Sequence, residues 1–168
     1  MESLVFQFDL FLRLLAALFF GVLLGAERNF AHKTAGMRTY SLVCLGSAAF
    51  VVGSIAATLP YVGLVNFDPM RVASQVVLGV GFLGGGLIVV RNGDINNLTT
   101  AAGLWIAAAV GMLSGFGLYM LAAFTTLLTL ITFTAMWYFE QKVKYVGVHI
   151  QEGMYKRILE EDEGKMVK

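Results

Sequence analysis

Charged residues are scarce in this 168-residue chain. They make up 14% of the sequence, while hydrophobic residues make up 58% and the mean hydropathy is +0.75. Between positions 39 and 139 the charged residues are Asp68, Arg71, Arg91 and Asp94. Soluble domains carry about 25% charged residues. The composition therefore excludes an ordinary soluble domain and indicates a membrane protein with several spans.

The sequence also has few cysteines and histidines and no strongly basic segment. The single cysteine, Cys44, excludes an internal disulfide framework, and its apolar surroundings predict a small packing residue. His32 has no second histidine at metal-ligand spacing. The sequence shows no Ser/His/Asp set, no Walker lysine and no paired catalytic carboxylates, and a net charge of +1 gives no nucleic-acid footprint. We therefore predict a non-enzymatic protein that does not bind nucleic acid.

Five apolar segments are long enough, or nearly so, to cross a bilayer, which takes about 20 residues. They run approximately over 10–26, 39–59, 72–90, 98–113 and 118–139. The first is interpreted as a retained span, because acidic Glu2 and Asp9 stand where a cleavable signal has a basic start. We predict an all-α bundle of five transmembrane helices over residues 1–140, followed by a short tail over 141–168.

The distribution of lysine and arginine predicts the orientation. The segments after the first, third and fifth spans carry the basic residues Arg28, Lys33, Arg38, Arg91, Lys142 and Lys144. The loop after the second span has only Arg71 beside Asp68, and the connection after the fourth has no charge. The amino terminus is therefore predicted outside and the carboxyl terminus in the cytoplasm.

The tail changes character. YVGVHIQ alternates like a short strand, and MYKRILEEDEGK is typical of a short amphipathic helix. About two dozen residues cannot form an independent domain. We expect the tail to pack on the membrane domain, to pair with a second copy or to remain mobile.

Several polar residues lie at or inside the predicted spans. Asp9 and Arg13 are four residues apart and can face each other, and two interpretations of Arg13 stay open: snorkelling to the headgroups or a buried role. Asp68 is predicted to cap the third helix ahead of Pro69. Gln75, one turn inside the membrane, is expected to bond another helix or to line a polar cavity.

The connection RNGDINNLTT holds Asn92, Asp94, Asn96, Asn97, Thr99 and Thr100. Asn-Gly is a turn signal, so a polar hairpin between two spans is the first interpretation, with an Asn or Thr capping the fourth helix. A direct site for Mg²⁺ or another hard cation is the second, although the loop has one carboxylate and no EF-hand spacing. Glu27 is predicted to pair with Arg28, Arg38 or Arg91, or to bind a partner.

The stretch GVGFLGGG has the G-x-G-x-x-G spacing of a dinucleotide-binding loop. That motif requires a preceding strand in a βαβ unit, whereas this stretch lies within an uncharged segment long enough for one bilayer crossing. Its glycines are therefore predicted to serve helix packing, with a kink or local unwinding where three are consecutive. The predicted packing glycines are Gly21, Gly25, Gly79, Gly81, Gly84, Gly85 and Gly86, and Gly111 and Gly115 repeat the spacing.

Three segments together resemble the MgtC/SapB family of bacterial membrane proteins. They are GVLLGAERNFAHKTAGMRTYSLVCLGSA, DPMRVASQVVLGVGFLGGGLIV and NLTTAAGLWIAAAVGMLSGFG, which follow the family patterns G-x-E-R, A-G-x-R-T, R-x-A-x-Q-V-x-x-G-x-G-F-L-G-x-G and L-T-T-A-A-x-x-W. The resemblance covers most of residues 10–135. The positions it marks are Glu27, Arg28, Gly36, Arg38, Asp68, Arg71, Gln75, Asn92, Thr99, Thr100 and Trp105, to which the loop adds Asp94.

The resemblance implies a multi-pass protein of the bacterial inner membrane that adapts cells to low Mg²⁺ and, in pathogens, supports survival inside phagocytes. It implies membrane partners such as the F-type ATP synthase, and a homodimer is a further expectation. Better-known members continue into a cytoplasmic ACT-like domain, of which this chain has at most the first strand and part of a helix. The residues leave a second hypothesis open, a cation transporter or channel with a polar path near Gln75 and Asn92.

Overall fold

A computed structural model describes residues 2–63, 66, 68–91, 93–136 and 138–139. In this part of the chain, five helices are long and apolar enough to cross a membrane. They are α1 (Glu2–Phe30), α2 (Met37–Thr58), α3 (Pro69–Leu87), α4 (Leu98–Gly115) and α5 (Tyr119–Met136). A 3₁₀ turn (Leu59–Tyr61) follows α2. The predicted all-α membrane fold is confirmed.

The chain divides into two compact units, Met1–Leu130 and Ile131–Lys168. The described residues of the second unit, 131–136 and 138–139, are helical. Residues 140–168, which include the predicted strand and helix of the tail, lie outside the described residues. The domain boundary predicted at residue 140 therefore stays a prediction, and the contacts and sites below all belong to the first unit.

Glycines on α1 and α4 allow both helices to lie close to α2. A methyl group added at Gly21 would lie 2.6 Å from Ser41 Cα, and one added at Gly25 would lie 2.5 Å from Met37 Cα. On α4, a methyl group at Gly111 would lie 2.2 Å from the carbonyl oxygen of Cys44. These separations are too short for any side chain, so α1 and α4 pack on α2 backbone to backbone.

The fourth helix is the most enclosed. Of its residues 61% are buried, compared with 28% of an 18-residue apolar stretch in α2. Its buried side is made largely of small residues, including Ala101, Ala107 and Ala108. Small side chains at this position let neighbouring helices approach α4 closely.

The third helix begins as predicted. Asp68 accepts a hydrogen bond of 2.9 Å from the Met70 amide, and Pro69 occupies the first turn. Its buried side consists of Val76, Val80 and Gly84. A methyl group at Gly84 would contact Ala101 of α4 at ordinary distances of 3.5 Å or more.

The other glycines of α3, which were predicted to pack against a helix, do not contact another helix in the described chain. Methyl groups added at Gly79, Gly81, Gly85 and Gly86 would meet no atom within 4 Å in the described chain. The reason is the rotation of α3 about its axis, which directs the residue 76–80–84 line inward and leaves Phe82 83% exposed. The predicted unwinding at the three consecutive glycines is absent, because α3 remains helical through Leu87.

The connection between α3 and α4 is a β-hairpin, so the predicted third span to residue 90 is three residues too long. β1 (Val89–Arg91) pairs antiparallel with β2 (Asp94–Asn96), with Val90 opposite Ile95. Gly93 has φ = 87°, a left-handed conformation that suits glycine in a tight turn. Val89 and Val90 are apolar, so hydropathy alone assigns them to the third span. Their β-branched side chains favour extended backbone, which is the conformation they adopt.

Candidate functional site

A buried ion pair lies at the end of α1 that is predicted to face the cytoplasm. Arg28 Nε donates to Glu27 Oε2, and the Arg28 side chain is only 3% exposed against 16% for Glu27. Tyr40 of α2 is fully buried. Its hydroxyl makes a long hydrogen bond of 3.4 Å to the carbonyl oxygen of Thr100 on α4. Glu27 thus pairs with Arg28 among the three partners predicted for it.

An asparagine that joins several elements lies at the same end. Asn97 occupies the N-cap position of α4 with φ = 66°, a left-handed conformation that asparagine tolerates better than most residues. Its side chain does not cap α4. Instead, its Oδ1 accepts from the Thr34 hydroxyl at 2.8 Å, and its Nδ2 donates to the Leu87 carbonyl oxygen at 3.1 Å. Asn97 therefore connects the α1–α2 loop, the end of α3 and the start of α4.

The remaining predicted residues lie at both ends of the unit and along α4. Thr100 is buried, while Arg38, Asp94, Thr99 and Trp105 are exposed near this end or along α4. Asp68 and Arg71 lie at the opposite end, at the start of α3, and are exposed. Gly36 precedes α2 and lies against Asn29. Asn92 lies outside the described residues.

Gln75 lines a groove between α2 and α3. The groove has a volume of about 640 Å³, and its walls run from Arg38 to Phe50 on α2 and from Val72 to Leu83 on α3. Most of the wall is apolar, and no residue of the hairpin contributes to it. In the described chain, the groove therefore does not join Gln75 to the RNGDINN connection.

Arg13 is partly buried and bonds the end of α4. Its guanidinium forms an ion pair with Asp9, with the closest nitrogen 2.6 Å from Oδ2, and Nη1 donates to the Gly115 carbonyl oxygen at 3.1 Å. Arg13 thus attaches α1 to the last turn of α4, where the helix dipole favours a cation.

Sequence reasoning missed Thr34 and Tyr40 and assigned Asn97 to a polar hairpin, a helix cap or a cation site. Their partners are the backbone or side chains of residues 10 to 63 positions away. The only sequence signal for these contacts is that a polar residue lies at the edge of a span. That signal does not identify the residue to which it hydrogen-bonds.

The described residues contain no group of three or more His, Cys, Asp or Glu side chains that could hold a metal ion. Of the carboxylates at the predicted cytoplasmic end, Glu27 is paired with Arg28, while Asp94 is exposed on the hairpin. The side-chain oxygens around Asn97 are engaged in hydrogen bonds between elements. The donor set therefore does not fit a multi-carboxylate Mg²⁺ site in this part of the chain.

Apolar helices that pack through glycine, with ion pairs and an amide connection at the helix ends, define a multi-pass integral membrane protein. The chain belongs to the MgtC family, whose model matches residues 14–142.

Relatives of known name include YhiD of Escherichia coli (strain K12), 41% identical over 143 residues, and MgtC of Salmonella typhimurium (strain LT2), 38% identical over 130 residues. These matches cover 82% and 77% of this chain and 65% and 53% of the relatives. MgtC of Brucella abortus (strain 2308) is 47% identical over 115 residues, which cover 67% of this chain and 45% of that protein. The chain thus matches between about half and two thirds of their length. No solved structure matches it.

Proposed function

We propose that this protein is a non-enzymatic regulator of ion and energy homeostasis that acts in the bacterial inner membrane during adaptation to low Mg²⁺. It acts by docking onto other membrane proteins, with the F-type ATP synthase as the first candidate partner. Membership of the MgtC family carries the proposal. A link to magnesium is further supported by YhiD, which is provisionally named a magnesium transporter.

The placement of charge favours regulation over transport. The charged side chains of the two α1 ion pairs neutralise each other, because Asp9 pairs with Arg13 and Glu27 pairs with Arg28. Transporters typically present such groups to a substrate path at a helix interruption, whereas α3 is continuous through its glycines. The groove beside Gln75 is mainly apolar. A rigid bundle with a structured polar end fits a docking module.

The test compares the host bacterium with and without the gene at low Mg²⁺. We expect loss of the gene to raise cellular ATP and change the membrane potential, and we expect crosslinking in intact membranes to join the protein to ATP synthase subunits. Expression of the wild-type chain should reverse the phenotype. Arg28→Gln should not, since it leaves Glu27 buried without its cation, whereas the exposed Lys33→Gln serves as the matched control.

Unchanged ATP, unchanged membrane potential and no crosslink to the synthase would refute the regulator. Transport is the second candidate, supported by the name of YhiD. It predicts Mg²⁺ flux in proteoliposomes of the purified chain, and that flux should fall on Gln75→Leu. Flux with normal cellular ATP would favour transport over regulation.

A further inference from the structure

The α2–α3 groove has the length of one membrane leaflet. Its α2 wall runs from Arg38 to Phe50, which corresponds to about 18 Å at a rise of about 1.5 Å per residue. The hydrocarbon of one leaflet is about 15 Å deep, half of a core of about 30 Å. Arg38 is the second residue of the span Met37–Tyr61, so the groove starts at one membrane surface, and on α3 its wall runs from Leu83 back to Val72.

The surface end of the groove is cationic. Arg38 is exposed and lines the groove, and within the described chain its side chain has no ion-pair partner, unlike Arg13 and Arg28. It lies on the side that the distribution of basic residues predicts to be cytoplasmic. A guanidinium at this level matches a phosphate in both charge and planar hydrogen-bonding geometry.

The interior of the groove suits a flexible apolar chain. Leu42, Phe50 and Leu83 line it and are more than half exposed, so their apolar surface is not covered by the helices of this unit. Gly46 and Gly79 are also in its walls, and a methyl group added at either would meet no atom within 4 Å. Space of this kind inside a bilayer is filled by lipid or by another helix.

We propose that this groove binds one acidic phospholipid of the cytoplasmic leaflet, with its phosphate on Arg38 and one acyl chain lying along the groove towards Gln75. Charge complementarity selects a lipid over a helix, because Arg38, which has no ion-pair partner within the described residues, lies at the headgroup end of an apolar groove about 18 Å long. Basic pockets between transmembrane helices bind anionic headgroups in this way. The proposal is independent of magnesium and of any protein partner.

The test is native mass spectrometry of the purified full chain in detergent with an equimolar mixture of dioleoyl phosphatidylglycerol and dioleoyl phosphatidylcholine. We expect one retained lipid per monomer and a preference for phosphatidylglycerol. Arg38→Gln should lower that preference about fivefold, the effect of removing one basic group at an acidic surface. Lys33→Gln, on the same side but outside the groove, should keep it.

Filling the groove tests the acyl chain separately. Gly79→Leu and Gly46→Leu place a side chain in free space, so the helices need not move, and both should reduce retention of either lipid. Gly81→Leu is the matched control, because Gly81 is equally open but outside the groove wall. Thermal unfolding of each variant checks that the fold is intact.

Three outcomes would overturn the proposal. Equal retention of the two lipids by the wild-type chain removes the headgroup site. An equal loss of preference in Arg38→Gln and Lys33→Gln indicates only general attraction to an acidic surface. A dimer without retained lipid, abolished by Gly79→Leu and weakened by Gln75→Leu, shows that a second copy occupies the groove.

Discussion

At the scale of single residues, glycines with the same spacing have different surroundings. Gly111 and Gly115 of α4 lie against the backbone and side chains of α2, whereas Gly81 and Gly85 of α3 meet no atom of the described chain. Both pairs are four residues apart and lie in apolar helices. The spacing predicts a flat helix surface, and the rotation of the helix decides whether that surface is in contact.

Gly111→Ala should therefore destabilise the protein strongly. The added methyl group would lie 2.2 Å from the Cys44 carbonyl oxygen, so α2 and α4 must separate, at a cost of about 1–3 kcal/mol for overpacking. The measurement is the thermal unfolding midpoint in one detergent. Gly81→Ala is the control, and its midpoint should be unchanged or raised, since alanine favours helix by about 1 kcal/mol. Equal midpoints for the two variants would contradict the close contact.

At the scale of elements, long-range polar contacts hold the helix ends. Asn97 connects the α1–α2 loop, α3 and α4 at one end, and Arg13 connects α1 to α4 at the other. Apolar contact between helices gains little in lipid, because the lipid chains are equally apolar. Polar contacts at the helix ends therefore contribute more to selecting a single packing of the helices than they would in a water-soluble protein.

Asn97 makes two contributions that substitutions can separate. Asn97→Gly removes both side-chain hydrogen bonds but keeps the left-handed backbone, while Asn97→Ala removes the bonds and strains φ = 66° as well. We expect the alanine variant to be less stable by about 1 kcal/mol. The unfolding midpoints of the two variants measure the difference. A more stable alanine variant would exclude the left-handed conformation.

Arg13 can be tested by removing one or both charges of its pair. Arg13→Met leaves Asp9 and the Gly115 carbonyl without their cation, and a broken buried pair costs about 3–5 kcal/mol. Because Asp9 is 40% exposed, we expect the lower end of that range or less. The double variant Asp9→Leu/Arg13→Met should recover part of the loss in thermal stability. No recovery would show that the bond to Gly115 is the dominant contribution.

At the scale of the whole molecule, the predicted orientation rests on the basic residues at the helix ends. Cys44 is fully buried, so single cysteines introduced on the surface report access with little background. Val62→Cys, in the turn after α2, should react with a membrane-impermeant maleimide in spheroplasts, and Lys33→Cys should react only in inverted vesicles. The reverse pattern would invert the topology and place Arg38 in the outer leaflet.

Most of the membrane fold follows from local properties of the chain. The helices were predictable because a segment in lipid must satisfy its backbone hydrogen bonds within itself. The cap at Asp68 was predictable because Asp before Pro is a helix-start signal. Hydropathy overestimated the end of α3, where Val89 and Val90 are apolar but extended. The pairing of Asp9 with Arg13 was predictable too, since residues four apart share a helix face.

The sequence alone determined that this is a helical membrane protein of the MgtC family, with charge confined to a few positions. The tertiary structure decided which glycines are contacts, that Arg13 bonds the end of α4, that Asn97 joins three elements and that α2 and α3 leave a groove headed by Arg38. These features depend on how each helix is rotated and which helices are neighbours. Arg13 and Gly115 are 102 positions apart and Thr34 and Asn97 are 63 apart, and no local pattern encodes such pairings.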